Sequence, residues 1–117
     1  MQTRLVEPDI TVVELVGTLS LGSTLKWIET DIRRQIKEGA RKLIFDLSQL
    51  RFMDSAGIGL VITVNGELEQ AGGKLHVAGA TGNVLKSFSV THVDRVIPMD
   101  ANVEASCERL RAMGAAS

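Results

Sequence analysis

Cysteine is almost missing from this chain, and its scarcity bears on both the compartment and the fold. Cys107 is the one cysteine among 117 residues, so an internal disulfide is impossible and a reducing environment is indicated. No basic and apolar leader segment precedes the first predicted strand. We therefore expect a cytoplasmic protein whose core is held by packing alone.

A surplus of charge of one sign is also missing, as is any long apolar run. The formal net charge is −1, which gives no electrostatic basis for binding nucleic acid or anionic lipid. No apolar run approaches the roughly 20 residues of a membrane span, so membrane insertion is not expected. The composition, 44% hydrophobic and 23% charged, is typical of a globular protein. The length predicts one domain over residues 1–113, followed by a loose tail over residues 114–117.

The familiar catalytic and cofactor motifs are missing too. His76 and His92 share no metal-ligand spacing with Cys107 or with an acidic cluster, so no metal site is predicted. Ser55 lacks the flanking glycines of a nucleophile elbow and has no histidine nearby in the sequence, which makes a nucleophilic role its least supported interpretation. Residues 57–59 hold only two of the three glycines of a dinucleotide fingerprint, and there is no Walker lysine. We expect no cofactor and no enzymatic activity.

What the chain does contain is an alternation of short apolar runs with amphipathic segments. The first two runs, at residues 5–6 and 10–16, flank a turn and predict a β-hairpin. Further strands are predicted at residues 42–47, 74–78 and 96–98. Helical spacing is found at residues 25–36, 55–70, 83–90 and 101–113. The order β-β-α-β-α-β-α-β-α predicts an α/β fold: a mixed, mainly parallel sheet, opened by the hairpin and covered by helices.

The first predicted helix follows a loop at residues 17–23 and carries one aromatic residue away from its apolar stripe. Ser23 or Thr24 is expected to cap this helix. Trp27 lies almost opposite the stripe formed by residues 25, 28, 32 and 36. Such a residue is either half-buried at an edge or an exposed anchor for a partner.

The candidate site lies where the second predicted helix begins. Asp54 and Ser55 are residue types that cap helices. Ala56, Gly57 and Gly59 leave little side-chain bulk around the serine hydroxyl, so another molecule could dock closely there. The alternative is that Ser55 is an ordinary helix cap.

The same helix is apolar over more than half of its circumference. Leu60 and Val64 widen a stripe that would by itself be enough for packing on a sheet. One interpretation is a helix buried between the sheet and a neighbouring element. The other is an apolar binding patch beside Ser55.

A serine at a helix start can accept a phosphate without unfolding the domain. Free N–H groups and the positive end of the helix dipole favour an anion there. The hydroxyl is not acidic, so a kinase would have to supply the base and the Mg²⁺. Ser55 is therefore a candidate acceptor of phosphate rather than a catalyst.

Two short segments carry a family resemblance: residues 46–48 read DLS and residues 52–59 read FMDSAGIG. Together with the apolar helix that follows, they strongly resemble the STAS domain of anti-sigma-factor antagonists. The order of elements is similar over nearly the whole chain. In that family the serine directly after the aspartate is phosphorylated, which implies modification of Ser55.

The resemblance implies a partner switch. The unphosphorylated domain binds an anti-sigma factor that is also a serine kinase, the sigma factor is released, and phosphorylation of Ser55 breaks the complex until a serine phosphatase resets it. Phosphoserine adds a charge of about −1.5 to −2, and a penalty of only about 4 kcal/mol weakens a complex roughly a thousandfold. The residues expected to contact the partner are Ser20, Trp27, Asp54, Ala56, Gly57, Gly59, Leu60 and Val64.

One departure from the family leaves related roles open. These antagonists commonly carry Gly-Glu-Leu-Asp in a loop that contacts the kinase, whereas residues 17–20 read Gly-Thr-Leu-Ser. Both acids are missing, so a stressosome scaffold, another serine-kinase switch or the STAS subunit of a lipid-transport complex is an alternative. Such a constitutive subunit would dock through Leu60, Val64 and Trp27, with Ser55 as a cap only.

Overall fold

The computed structural model describes the backbone of residues 1–116 and the side chains of residues 1–112. Its elements, in chain order, are β1 (Gln2–Val6), β2 (Ile10–Glu14), β3 (Gly17–Leu19), α1 (Ser23–Lys37), β4 (Lys42–Asp46), β5 (Leu50–Met53), α2 (Ser55–Gln70), β6 (Lys74–Ala78), α3 (Gly82–Val90), a 3₁₀ turn (Val93–Arg95), β7 (Met99–Asp100) and α4 (Val103–Ala116). The last helix thus extends into the stretch expected to be a tail, of which Ser117 lies outside the described residues.

The main sheet has five strands in the order β1-β2-β4-β6-β7. Only the pairing of β1 with β2 is antiparallel, and the remaining neighbours are parallel. The central strand β4 has Leu43, Ile44 and Phe45 fully buried, so both of its faces are covered. Apolar residues on both faces of a strand are what a central parallel strand requires. The predicted α/β fold with an opening hairpin is confirmed.

A second, two-stranded sheet is formed by β3 and β5. The sequence predicts a loop at residues 17–23 and a short loop between the strand at residues 42–47 and Asp54, and both predictions are wrong where β3 and β5 form. The two strands are short and about thirty residues apart in the chain, so neither shows a local alternation that would reveal the pairing. The pair brings the segment after β2 next to the segment that leads into α2.

The helices lie on both faces of the main sheet. On one face α1, α2 and α3 pack against the larger core, to which β2, β4 and β6 contribute alternate residues. On the other face α4 packs against a smaller core with Cys107 and Leu110. Because α1 also packs beside α2, α2 is covered on two sides. None of the helices among the described residues is both long and apolar enough to cross a membrane.

Three local expectations are corrected by the structure. The cap of α1 is Gly22, not Ser23 or Thr24. The helical spacing at residues 83–90 predicts that Val84, Leu85 and Phe88 face inward, but Leu85 is 42% exposed. The last strand is Met99–Asp100 rather than residues 96–98, because a 3₁₀ turn takes up the chain before it and buries Ile97.

Candidate functional site

Asp54 is the residue that caps α2, and it also fixes the loop after β3. Its backbone is extended, and one carboxylate oxygen accepts a hydrogen bond of 3.0 Å from the N–H of Gly57. The other oxygen accepts one of 3.0 Å from the N–H of Leu21. The backbone N–H of Asp54 donates to the carbonyl oxygen of Leu19 at 3.2 Å. These bonds tie residues 19–21 to the first turn of α2.

The same hydrogen bonds favour the ionised form of the Asp54 side chain. The N–H of Leu21, followed by that of Gly57, holds the pKa of Asp54 below its ordinary value, because hydrogen bonds donated to a carboxylate favour its charged form. A negative charge therefore stands next to Ser55 at neutral pH.

Ser55 is the first residue of α2, and it is exposed to solvent. The interpretation of Ser55 as the helix cap is wrong, since Asp54 has that role. The hydroxyl lies at the positive end of a helix of 16 residues, where unpaired N–H groups favour negative charge. The position is therefore open to a protein that approaches from solvent.

Other predicted site residues lie close to Ser55. Ser20 is partly buried and belongs to the loop that Asp54 fixes, while Ala56 is half-buried in the first turn of α2. Sequence analysis missed Leu21, which is 81% exposed next to this site. A large apolar residue inside a predicted loop is the signal that could have identified it.

A groove between α1 and α2 opens beside the site. Its volume is about 250 Å³, and Ala56, Gly59 and Leu60 form the α2 side. The α1 side includes Leu25 and Lys26. A Cβ added at Gly59 would meet nothing within 4 Å, so this glycine leaves the groove open.

The docking patch expected at Leu60 and Val64 and the partner contact expected at Gly57 are corrected, because all three residues are packed inside the protein. Leu60 reaches the surface only as part of the groove wall. Leu60 is 4% exposed and Val64 is 0% exposed, and both belong to the larger core. Their burial follows from the position of α2 between the sheet and α1, so the first interpretation of the wide stripe holds. Gly57 is also buried: a Cβ there would collide with the carbonyl oxygen of Leu19 and lie 2.6 Å from Met53 Cγ.

Trp27 is 58% exposed on α1. It is not among the residues that line the groove. The structure therefore leaves Trp27 on the surface of α1, outside the groove.

A buried polar cluster on the opposite face of the sheet was missed by sequence analysis. Asp100 accepts hydrogen bonds from His76 Nδ1 at 2.8 Å, from Ser106 Oγ at 2.5 Å and from Arg109 at 2.5 Å. Burial would raise the pKa of Asp100, but the hydrogen bonds from Ser106, His76 and Arg109 outweigh it and keep the pKa below its ordinary value. Ser106 and His76 both bind Asp100, an arrangement that differs from the serine–histidine contact of a catalytic triad.

Among residues 1–112, whose side chains the structure describes, side chains that could bind a metal ion are not grouped together. There, no group of three or more histidine, cysteine, aspartate or glutamate side chains could hold a metal ion. At Ser55 the structure brings together a serine exposed to solvent, the carboxylate of Asp54 and a helix N-terminus.

Comparison with known proteins identifies the family to which this chain belongs. Residues 3–106 match the model of the STAS domain. The anti-sigma F factor antagonist of Lysinibacillus sphaericus is 30% identical over 111 residues, which covers 94% of this chain and 93% of the relative.

Two solved structures of one protein, SpoIIAA, are also similar to this chain. The unphosphorylated form of this anti-sigma factor antagonist has a TM-score of 0.75 and 29% identity, over 94% of this chain and 96% of that chain. The phosphorylated form, from Bacillus, has a TM-score of 0.75 and 29% identity, over 93% of this chain and 97% of that chain.

Proposed function

This chain belongs to the STAS domain family, and from that membership we propose that it is an anti-sigma-factor antagonist controlled by phosphorylation of Ser55. Unphosphorylated, the domain binds an anti-sigma factor that is also a serine kinase. Phosphorylated, it releases that partner. The observation that carries the proposal is the exposed Ser55 hydroxyl at the start of α2, next to the carboxylate of Asp54.

The environment of Ser55 supports a switch that acts through charge. Asp54 is already negative, and Leu21 and Ala56 supply apolar and small surface around the hydroxyl. A phosphate adds a charge of about −1.5 to −2. In a contact with a partner, that charge would be repelled by Asp54 and would lose part of its water. About 4 kcal/mol from these two effects would weaken the complex roughly a thousandfold.

The hydrogen bonds at the site support a domain that stays folded when Ser55 is phosphorylated. Asp54, not Ser55, makes the hydrogen bonds that cap α2 and hold the loop of residues 19–21. A phosphate on Ser55 therefore breaks none of them, and the helix dipole favours it. The relative SpoIIAA has been solved in both forms, and both are equally similar to this chain.

The remaining components are assigned to other proteins. The carboxylate of Asp54 is engaged by the N–H groups of Leu21 and Gly57, so we assign the base and the Mg²⁺ for phosphoryl transfer to the kinase and removal of the phosphate to a serine phosphatase. The domain itself acts by binding and not as an enzyme. Partners that control a sigma factor are found in the bacterial cytoplasm, which is the location we propose.

A phosphorylation assay tests the proposal. Each anti-sigma-factor kinase of the source genome is purified and incubated with this chain and ATP, and the phosphate is located by mass spectrometry. We expect one kinase to modify Ser55. The matched control is Ser48→Ala, which changes another exposed serine and should leave incorporation unchanged, whereas Ser55→Ala should abolish it.

Binding to the same kinase is then measured with ADP in place of ATP. We expect Ser55→Ala to bind like the parent chain and to stay bound after ATP is added, whereas Ser55→Asp should bind much more weakly. Equal binding by both variants would exclude the charge mechanism. A phosphate found elsewhere than Ser55, or incorporated by none of these kinases, would exclude the proposed site.

A further inference from the structure

We propose that the groove between α1 and α2 receives an apolar side chain of the same anti-sigma-factor kinase that contacts Ser55. The inference rests on the proposed function, because it assigns a second contact to that partner. Ala56, the residue after Ser55, and Gly59, one turn later, form the α2 wall of the groove. A protein that covers the Ser55 hydroxyl therefore also lies over the mouth of the groove.

The form of the groove favours an inserted apolar group. It encloses about 250 Å³ and has Leu21, Leu25 and Leu60 along its walls. Leu21 is 81% exposed, so a large part of its apolar surface is free to be covered. Interfaces gain most of their binding energy where a buried anchor side chain fills a pocket of this kind.

The charges at the groove argue against an ionic occupant. Lys26 and Glu29 are the two charged side chains among its lining residues, and their charges cancel. A charged group from the partner would lose its water without finding a net opposite charge. An apolar side chain with polar neighbours at its edges matches this lining.

The glycine at position 59 is consistent with a groove that stays open for a partner side chain. Glycine inside a helix is less favourable than alanine, and neither packing nor a positive φ requires it here, since an added Cβ meets nothing within 4 Å. Gly66 has the same free space but does not line the groove, so glycine alone does not identify the contact. At Gly59 the missing side chain keeps the groove open beside Ser55.

Filling the groove tests the proposal, with the same substitution elsewhere on α2 as the control. We expect Gly59→Leu to weaken binding of the purified kinase, in the presence of ADP, by about 30-fold or more. Gly66→Leu should bind within about threefold of the parent chain, because it lies outside the groove. Urea unfolding should show both variants folded, since the Cβ added at either position meets nothing within 4 Å.

A second pair of variants tests the groove independently, in case the Gly59→Leu protein misfolds. Leu21→Ser should also weaken binding strongly, while Val90→Ser, at another exposed apolar residue, should not. If Gly59→Leu and Leu21→Ser bind like the parent chain while Ser55→Asp does not bind, the groove is excluded and the switch at Ser55 stands. If Ser55→Asp also binds like the parent chain, or no kinase binds the parent, the proposed function fails together with the partner assigned to the groove.

Discussion

Asp54 and Ser55 are adjacent, and both residue types can cap a helix, yet they have separate roles. Asp54 accepts from the N–H groups of Gly57 and Leu21 and so makes the structural contacts of the site. Ser55 is left exposed at the first position of α2. A side chain that is not needed for the fold can be modified without cost to the fold, which is what a reversible switch requires.

Glycine residues of α2 also differ in role, and this leads to a prediction about stability. Gly57→Ala should lower the free energy of unfolding by about 1–3 kcal/mol, the usual cost of overpacking, because the added Cβ meets the Leu19 carbonyl oxygen and Met53. Gly66→Ala should raise it by about 1 kcal/mol through helix propensity. Urea unfolding of both variants checks the prediction. Equal effects at the two positions would mean that β3 and β5 do not pack against the first turn of α2 as described.

At the scale of elements, the position of α2 decides which of its residues a partner can reach. The sheet covers one side and α1 covers another, so Leu60 and Val64 are inside the core. Ser55, Gly59 and Ile62 remain on the open side, since they are exposed or partly exposed. The contact surface is therefore narrower than the apolar pattern of the helix indicates.

The attachment of α4 depends on polar contacts as well as on apolar packing. Asp100 of β7 binds Ser106 and Arg109 of α4 and His76 of β6. His76 is fully buried, and its Nε2 atom finds no hydrogen-bond partner in the part of the chain that is described. Burial lowers the pKa of His76, and Arg109 and Lys74 add to the shift, while Asp100 opposes it. His76 is thus neutral in the folded protein at pH 7.

This state of His76 predicts a loss of stability in mild acid. Unfolded, a histidine takes up a proton near pH 6.5, whereas folded His76 resists it until its own lower pKa is reached. The unfolded state therefore binds more protons in that window, and the free energy of unfolding should fall as the pH drops below about 6.5. Urea unfolding at pH 7.5 and pH 5.5 measures the change.

Two variants identify the source of that change. His76→Gln should flatten the dependence between pH 7.5 and pH 5.5, whatever it does to the absolute stability. His92→Gln is the control, because it removes a histidine that is exposed in the folded protein. A slope unchanged by His76→Gln would show that another group is responsible.

At the scale of the whole molecule, binding and folding should respond differently to charge at Ser55. An anion at a helix N-terminus stabilises by about 0.3–1 kcal/mol, and repulsion from Asp54 opposes this gain. We therefore expect the free energy of unfolding of Ser55→Asp to stay within about 1 kcal/mol of the parent value. Urea unfolding tests this, and amide NMR shifts should change mainly at residues 19–22 and in the first turn of α2. Loss of cooperative unfolding would mean that the switch works by melting the domain.

Much of the architecture could be predicted from local patterns. The apolar runs at residues 10–16 and 42–47, which predict strands, contain β2 and β4, and the helical spacing at residues 25–36 and 55–70 lies in α1 and α2. These patterns depend only on neighbours within two turns. The DLS and FMDSAGIG segments led to the family, which the match to the STAS domain confirms. The position of Ser55 at the start of α2 also followed from local signals. The pairing of β3 with β5 did not, since it joins two short segments far apart in the chain.

The sequence by itself therefore determined the alternation of strands and helices, the family and the helix at whose start Ser55 lies. Only the tertiary structure decided that Asp54 rather than Ser55 is the cap, that Leu60 and Val64 are buried, and that an open groove lies between α1 and α2. The physical reason is that periodicity reports which face of a helix is apolar, whereas exposure depends on which distant elements pack against that face.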